Sequence, residues 1–352
     1  MKIGFLGYKG SGKTTIFRAL ARGHAAGPGD PGRTAVAAVP DEVDANFRLL
    51  CDTWQPKKRT PLGMELTDFP GVAPAGDTDE GFKLTNVSVE IAGLVLVIRG
   101  FPCDQYFYPR PKPDPVADTR DLVTDLVLAD LEKALRREGK LEVSVKKPTP
   151  KVEQDRRELA LIRRVRTHLE AGQPLKTFGF LPEEATLLRG FGFLTAKPWF
   201  LIVSLPDDGN APAEIPGPFE GRCDVRARLE GELLDLPEEE RAEFARDMGL
   251  HEFLVPGLPR RITDAFGMVR FYVGSEKEVR AFEVEKGANV ATAAGRIHTD
   301  FERGFIRAEV TTCHDLASSG DPRGAKAEKG WRVEGREYRI RDGDVLNIRF
   351  SV

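Results

Sequence analysis

The segment Gly7 to Thr14, GYKGSGKT, fits the spacing G-x-x-x-x-G-K-[ST]. Backbone N–H groups of such a loop cradle phosphate oxygens, its lysine reaches the terminal phosphates, and its hydroxyl ligates magnesium. Gly7, Gly10, Ser11, Gly12, Lys13, Thr14 and Thr15 are therefore candidate nucleotide-binding residues, with Thr14 also a candidate magnesium ligand. A second segment, GMELTDFPG at residues 63 to 71, ends in Asp68-Phe69-Pro70-Gly71. That arrangement sets an aspartate beside the magnesium and a glycine amide near a γ-phosphate. D-x-P-G alone is a common turn; following the first motif, it makes Asp68 a metal ligand and Gly71 a γ-phosphate sensor.

Both segments need particular elements around them. Ile3 to Leu6 is an apolar run suited to a buried parallel strand, and Thr14 to Arg22 carries apolar residues at helical spacing. The loop therefore lies between a strand and a helix start, where its amides converge on an anion. A later apolar run, Pro198 to Ser204, predicts the strand that would carry a base reader, which places Ser204, Leu205 and Asp207 at the nucleotide, with Ala227 further along as another nucleotide-binding candidate. None of the five asparagines (46, 86, 210, 289 and 347) begins the guanine-reading N-K-x-D. Val72 follows Gly71 where many small GTPases have a glutamine, and valine cannot orient a water.

Composition excludes several other classes. With 352 residues and 41% apolar content, two or three globular domains are expected. A net charge of -3 provides no global attraction to nucleic acid, so such a partner needs a local patch. The four cysteines, Cys51, Cys103, Cys223 and Cys313, show no C-x-x-C spacing, which points to free thiols in a reducing cytosol rather than a zinc or redox pair. No apolar run approaches a membrane span, so no membrane partner and a cytoplasmic location are expected. No Ser-His-Asp set, zinc spacing or paired-carboxylate site is legible, and His298 in GRIHTDFERGF is read as a packing or hydrogen-bonding residue.

Four further stretches go together: Arg33-Thr34-Ala35-Val36 followed by Val39-Pro40-Asp41, the strand Val97 to Phe101, the helix Asp125 to Leu131, and the tail 279 to 310 with 338 to 350. With the two phosphate motifs, they make the chain resemble, over essentially its whole length, the Obg-like ATPases of the YchF type. The resemblance implies an α/β fold in three parts: a P-loop nucleotide-binding domain (1–120 and 175–267), an inserted antiparallel helical hairpin (121–174) and a C-terminal β-grasp TGS domain (268–352). It also implies that Thr34 joins Thr14 and Asp68 at magnesium.

Departures from the family pattern also carry information. Lys9 and Gly10 stand where the family has proline and asparagine, and Ser204 to Asp207 stand where it has the adenine-favouring N-x-x-E. The histidine that the family is thought to use in hydrolysis falls on Tyr108, a poor general base with an ordinary pKa of about 10. Lys13, Gly71 and Tyr108 are the catalytic candidates.

Residues 102 to 115, rich in proline and aromatics, read as a loop, either a flap over the nucleotide or an inert linker. Leu122, Leu126 and Leu131, then Leu159, Ile162, Val165 and Leu169, predict two antiparallel helices with basic residues from Arg136 to Arg166, which is either a solvated face or an RNA or ribosome contact. The expected function is a monomeric, magnesium-dependent nucleotide switch that hydrolyses ATP, ahead of GTP, slowly and acts on the ribosome or RNA. Two readings stand open beside it: a nucleotide-gated binding module with negligible hydrolysis, and a GTP-binding member of the family.

Overall fold

The structure, a computed structural model, describes residues 1–21, 33–40, 43–72, 82–87, 89–102, 110–210, 212–318 and 330–351. The chain runs through β1 (Lys2–Leu6), α1 (Lys13–Leu20), β2 (Arg33–Ala38), α2 (Ala45–Trp54), β3 (Lys58–Thr60), β4 (Gly63–Asp68) and β5 (Gly93–Arg99). Next come α3 (Pro115–Ser144), α4 (Val152–Glu170), α5 (Pro182–Arg189), β6 (Trp199–Ser204), β7 (Gly221–Val225), α6 (Ala227–Leu234), α7 (Glu238–Asp247) and α8 (Leu258–Ala265). The last elements are β8 (Met268–Gly274), β9 (Glu278–Glu285), α9 (Val290–Ile297), α10 (Thr299–Arg303), β10 (Phe305–Thr312), α11 (Cys313–Ser318), β11 (Arg332–Glu334) and β12 (Asp344–Phe350).

Two compact units contain these elements: Lys2–Ala35 with Glu65–Val255, and Met1 with Val36–Met64 and Pro256–Val352. In the first unit the sheet order is β2-β4-β1-β5-β6-β7, with β4, β1, β5, β6 and β7 mutually parallel. Every residue of β5 and β6 is buried, as a central parallel strand covered on both faces requires, and this explains their near-continuous apolar sequences. The phosphate motifs thus stand at the carboxyl ends of adjacent strands β1 and β4, the edge where open α/β sheets bind ligands.

The hairpin α3–α4 is inserted between β5 and β6. Val127, Ala134 and Leu141, spaced by sevens on α3, pack with Leu159, Ile162, Val165 and Leu169 of α4. Asp114 caps the start of α3 by accepting from Ala117 N at 3.0 Å, so the helix begins earlier than periodicity alone indicates. Its root is pinned by the buried Asp130, which accepts from Leu194 N (2.9 Å) and from both Thr195 N and Oγ1 (2.7 Å each).

In the other unit the sheet order is β11-β10-β12-β8-β9-β3. Alternation along β8 sends Phe271 to a core with Val290 and Ala293 of α9, and Tyr272 to a core with Phe47, Leu50 and Trp54 of α2. Tyr272 also donates its hydroxyl to the α2 cap residue Asp44 at 2.8 Å. Residues 36–64, which the sequence reading assigns to the nucleotide-binding part, therefore cluster with the C-terminal β-grasp sheet: β3 pairs with β9, and α2 buries its apolar face on β8 and β9. The reason is a helix whose apolar side matches that sheet, information that the local pattern of 45–54 does not contain.

Candidate nucleotide-binding site

The loop from Gly7 to Gly12 wraps tightly. Gly10 and Gly12 have φ of 79° and 90°, left-handed backbone that a side chain disfavours. Gly12 heads α1, and a Cβ added to it would lie 2.6 Å from Ser204 Oγ, which puts the end of β6 directly against the loop. Lys13 is buried, and this burial lowers its amine pKa, against the opposing pull of Asp68. A buried lysine at a helix N-terminus is a strong anion site, because an arriving phosphate replaces lost hydration.

Asp68 ends β4 beside the loop. Thr14 donates its hydroxyl to Asp68 Oδ2 at 2.9 Å, while the buried Asp68 Oδ1 and Ser11 Oγ have no hydrogen-bond partner among the described residues. An unpaired carboxylate oxygen next to a hydroxyl whose lone pairs remain available fits a hard cation such as magnesium, which takes one or two protein oxygens together with phosphate and water. Gly71 follows at close range: a Cβ there would come within 2.8 Å of Lys9 N and Cα. Val72 donates its N–H to Gly7 O at 3.0 Å, and its buried side chain is no water activator.

A cleft of ≈ 560 Å³ opens beside Gly12 and Thr15, walled by Phe101, Pro102 and the segment Ser204 to Asp208. Arg228, the second residue of α6, completes it and donates to Asp207 Oδ2. The strand end is held open by Leu205 N donating to Val225 O at 2.8 Å and Gly100 N donating to Ser204 O at 2.8 Å. Asp208 and Arg228 are cleft residues that were not singled out in the sequence, and Phe101 was named there only as the end of a family strand. Arg228 stands at a helix start just beyond a strand, and nothing local in the sequence signals its contact with Asp207.

Of the sequence candidates, Gly12, Thr15, Ser204, Leu205 and Asp207 converge on this cleft, while Lys13 and Thr14 follow Gly12 directly in the chain and Thr14 pairs with Asp68. Ala227 lines an adjoining groove with Thr15, Arg18 and Arg228 instead. Thr34 is exposed on β2, and among the described residues no hydrogen bond joins it to Thr14 or Asp68. Tyr108 lies outside the described residues, as do Tyr106, Phe107 and Asp41. His298 caps α10, its Nδ1 accepting from Asp300 N at 3.2 Å, a structural role as expected.

Most arginines of the hairpin stem are engaged internally. Arg137 pairs with Glu158, Arg163 with Glu138 and Glu142, Arg164 with Glu184, and Arg166 with Glu138 and Glu170. They lace the stem to its surroundings.

Comparison with known proteins agrees with this architecture. The chain is 33% identical over 372 residues to the ribosome-binding ATPase YchF of Haemophilus influenzae, covering 100% of this chain and 99% of the relative. The chain belongs to the YchF/Obg-like ATPase family. It is 32% identical to the ribosome-binding ATPase YchF of Escherichia coli O157:H7 (100% and 99% covered) and 29% identical to Obg-like ATPase 1 of Caenorhabditis elegans (100% and 92%). A family model named YchF-GTPase_C, described as "Protein of unknown function (DUF933)", matches residues 268–351. The solved Schizosaccharomyces pombe YchF GTPase shares the fold, with a TM-score of 0.77 at 23% identity, over 99% of this chain and 97% of that one. The chain is thus an α/β protein with a P-loop NTPase fold, an inserted helical hairpin and the family's C-terminal β-grasp region.

Proposed function

We propose that this protein is a magnesium-dependent nucleoside triphosphatase of weak intrinsic activity, preferring ATP to GTP, that works as a nucleotide-gated switch on the ribosome in the cytoplasm. The observation that carries the reading is the contact of Thr14 Oγ1 with Asp68 Oδ2 at 2.9 Å beside the buried Lys13. A phosphate cradle with adjacent metal ligands is what phosphoryl transfer uses.

In this reading Gly7, Gly10, Ser11 and Gly12 wrap the phosphates and Lys13 neutralises charge that builds on the terminal phosphoryl group. Thr14 and Asp68 would hold magnesium, which supplies Lewis-acid stabilisation of phosphate oxygens; Thr34 is the family-implied third ligand. Ser204, Leu205 and Asp207 face the base. Slow turnover follows from Val72, whose side chain cannot activate water, and from a tyrosine at position 108. Coupling is supported by connectivity: the chain passes between its two units just after Thr34 and just before Asp68. Ribosome association is carried over from the names of the bacterial relatives. The domains proposed are the nucleotide-binding part, the hairpin as an arm, and the C-terminal region.

The test is calorimetric titration of the purified monomer or oligomer with ATP and GTP in magnesium, following phosphate release with and without ribosomes. Binding should vanish in Lys13→Ala; retained affinity would sink the cradle assignment. Tight binding without phosphate release under any condition would favour the gated module with negligible hydrolysis, a reading that Val72 supports. A preference for GTP would favour the GTP-binding alternative.

A further inference from the structure

We infer that Arg228 sets the base preference of this cleft by occupying Asp207 and so disfavouring guanine. The inference rests on the cleft being the nucleotide site. Among the described residues, the charged side chains lining the cleft are those of Asp207, Asp208 and Arg228. Asp207 sits at the turn after β6, the position from which a carboxylate would meet the base edge. Its Oδ2 already accepts from an Arg228 Nη, and the pair is joined from the first turn of α6.

Guanine presents two N–H donors side by side, from N1 and N2, and a free carboxylate takes both with its two oxygens. Adenine presents one amino donor beside a ring acceptor and needs a single acceptor and a single donor. With Oδ2 accepting from the guanidinium, only Oδ1 of Asp207 is without that competitor, and Arg228 retains further N–H donors. The guanidinium therefore competes with one of guanine's two N–H donors for Oδ2, whereas adenine's single amino donor can use Oδ1 without that competition. Selectivity of this kind works by penalising the wrong partner rather than by adding contacts to the right one.

The size of the effect is bounded by exposure. The Arg228 side chain is 71% exposed and Asp207 29% exposed, so the pair is only partly shielded from water. An exposed ion pair shifts an equilibrium modestly, and a shift of about fivefold is expected.

The experiment is calorimetric titration of the full chain with MgATP and MgGTP for the wild type, Arg228→Ala, Arg228→Lys, Lys13→Ala and the double variant Asp207→Asn with Arg228→Ala. The wild type should favour ATP. Arg228→Ala should move the GTP-to-ATP affinity ratio toward GTP by about fivefold, Arg228→Lys should move it less, and the double variant should lose the gain because an amide cannot accept both guanine donors. Circular dichroism of each variant confirms that it is folded. An Arg228→Ala ratio within twofold of wild type overturns the inference alone, whereas a wild type that favours GTP overturns both the inference and the ATP preference proposed above. Lys13→Ala binding both nucleotides like wild type overturns the nucleotide-site reading and this inference with it.

Discussion

Tyr8 of the phosphate loop donates its hydroxyl to Asp125 Oδ2 of α3 at 2.8 Å. The backbone of the same tyrosine forms a parallel bridge with Val72, the residue after Gly71. Tyr8 thus joins the phosphate loop to the segment after β4 through its backbone and to α3 through its side chain, which shares a core with Phe69, Val72, Leu122 and Leu126. Burial raises the Asp125 carboxyl pKa, with the Asp121 charge adding to the rise, while the Tyr8 hydrogen bond opposes it.

Removing the hydroxyl leaves that carboxylate with a lost partner. Tyr8→Phe should cost about 1–3 kcal/mol of stability in denaturant titration, the penalty of a desolvated acceptor. Its effect on ATP affinity should be small, because the loop backbone and Lys13 are untouched. If Tyr8 also transmits nucleotide state to the hairpin, ATP-dependent protection of α3 amides in hydrogen exchange should weaken in this variant. Unchanged stability would show that Asp125 finds another donor.

Metal dependence should trace to Asp68. In magnesium, Asp68→Asn should lose about tenfold or more of the ATP affinity that magnesium confers. In a chelator the variant and the wild type should bind ATP alike, since Lys13 and the loop amides act without the metal. A variant that keeps the full magnesium increment would move the cation site elsewhere.

Glu230 on α6 makes stability depend on pH. It is buried, it accepts from Val255 N at 2.7 Å, and burial lifts its carboxyl from 4.5 to about 7 despite backbone hydrogen bonds from Val255 and Leu254. Glu252 nearby adds to the rise and Arg226 opposes it. A carboxyl pKa raised on folding means that the native state binds more protons than the unfolded chain between those values. Its contribution is complete below the unfolded pKa and is lost as pH rises through about 7. Across that window the wild type should lose up to about 3 kcal/mol from this group. Denaturation midpoints at pH 5 and 8 should differ less in Glu230→Gln than in the wild type; equal differences would locate the dependence in other groups.

The chemistry-bearing core of the site was legible because a phosphate loop is local. Gly10, Gly12, Lys13 and Thr14 are contiguous, and their strand and helix announce themselves by period. Ser204 and Asp207 were reachable because a buried strand leads straight into them. Arg228 was not, since its contact with Asp207 depends on β7 pairing with β6, which no single window of sequence encodes. The clustering of α2 with the C-terminal sheet was hidden for the same reason: an amphipathic helix shows that it has an apolar face, and the residues it covers lie more than two hundred positions away, at Tyr272 and Val279. Charge was misleading in the stem, where a basic run is cancelled by glutamates on the facing helix.

That cancellation leaves the hairpin's unpaired positive charge at its tip. Lys146, Lys147 and Lys151 in the α3–α4 connection and Lys140 just before it are exposed and form no ion pair among the described residues, while the stem arginines Arg137, Arg163 and Arg166 are paired. Lysines without partners carry counterions that phosphate contact would release, whereas paired arginines carry few. If the ribosome is the partner and the hairpin its contact, ribosome affinity should fall steeply with salt. Converting the four lysines to glutamine should lower the slope of log affinity against log salt by about three. Glutamine substitution at Arg163 should instead reduce stability with little effect on the slope, because its charge already serves Glu138 and Glu142. Co-sedimentation with ribosomes across a salt series measures both, and a lysine variant with the wild-type slope would place the contact on another surface.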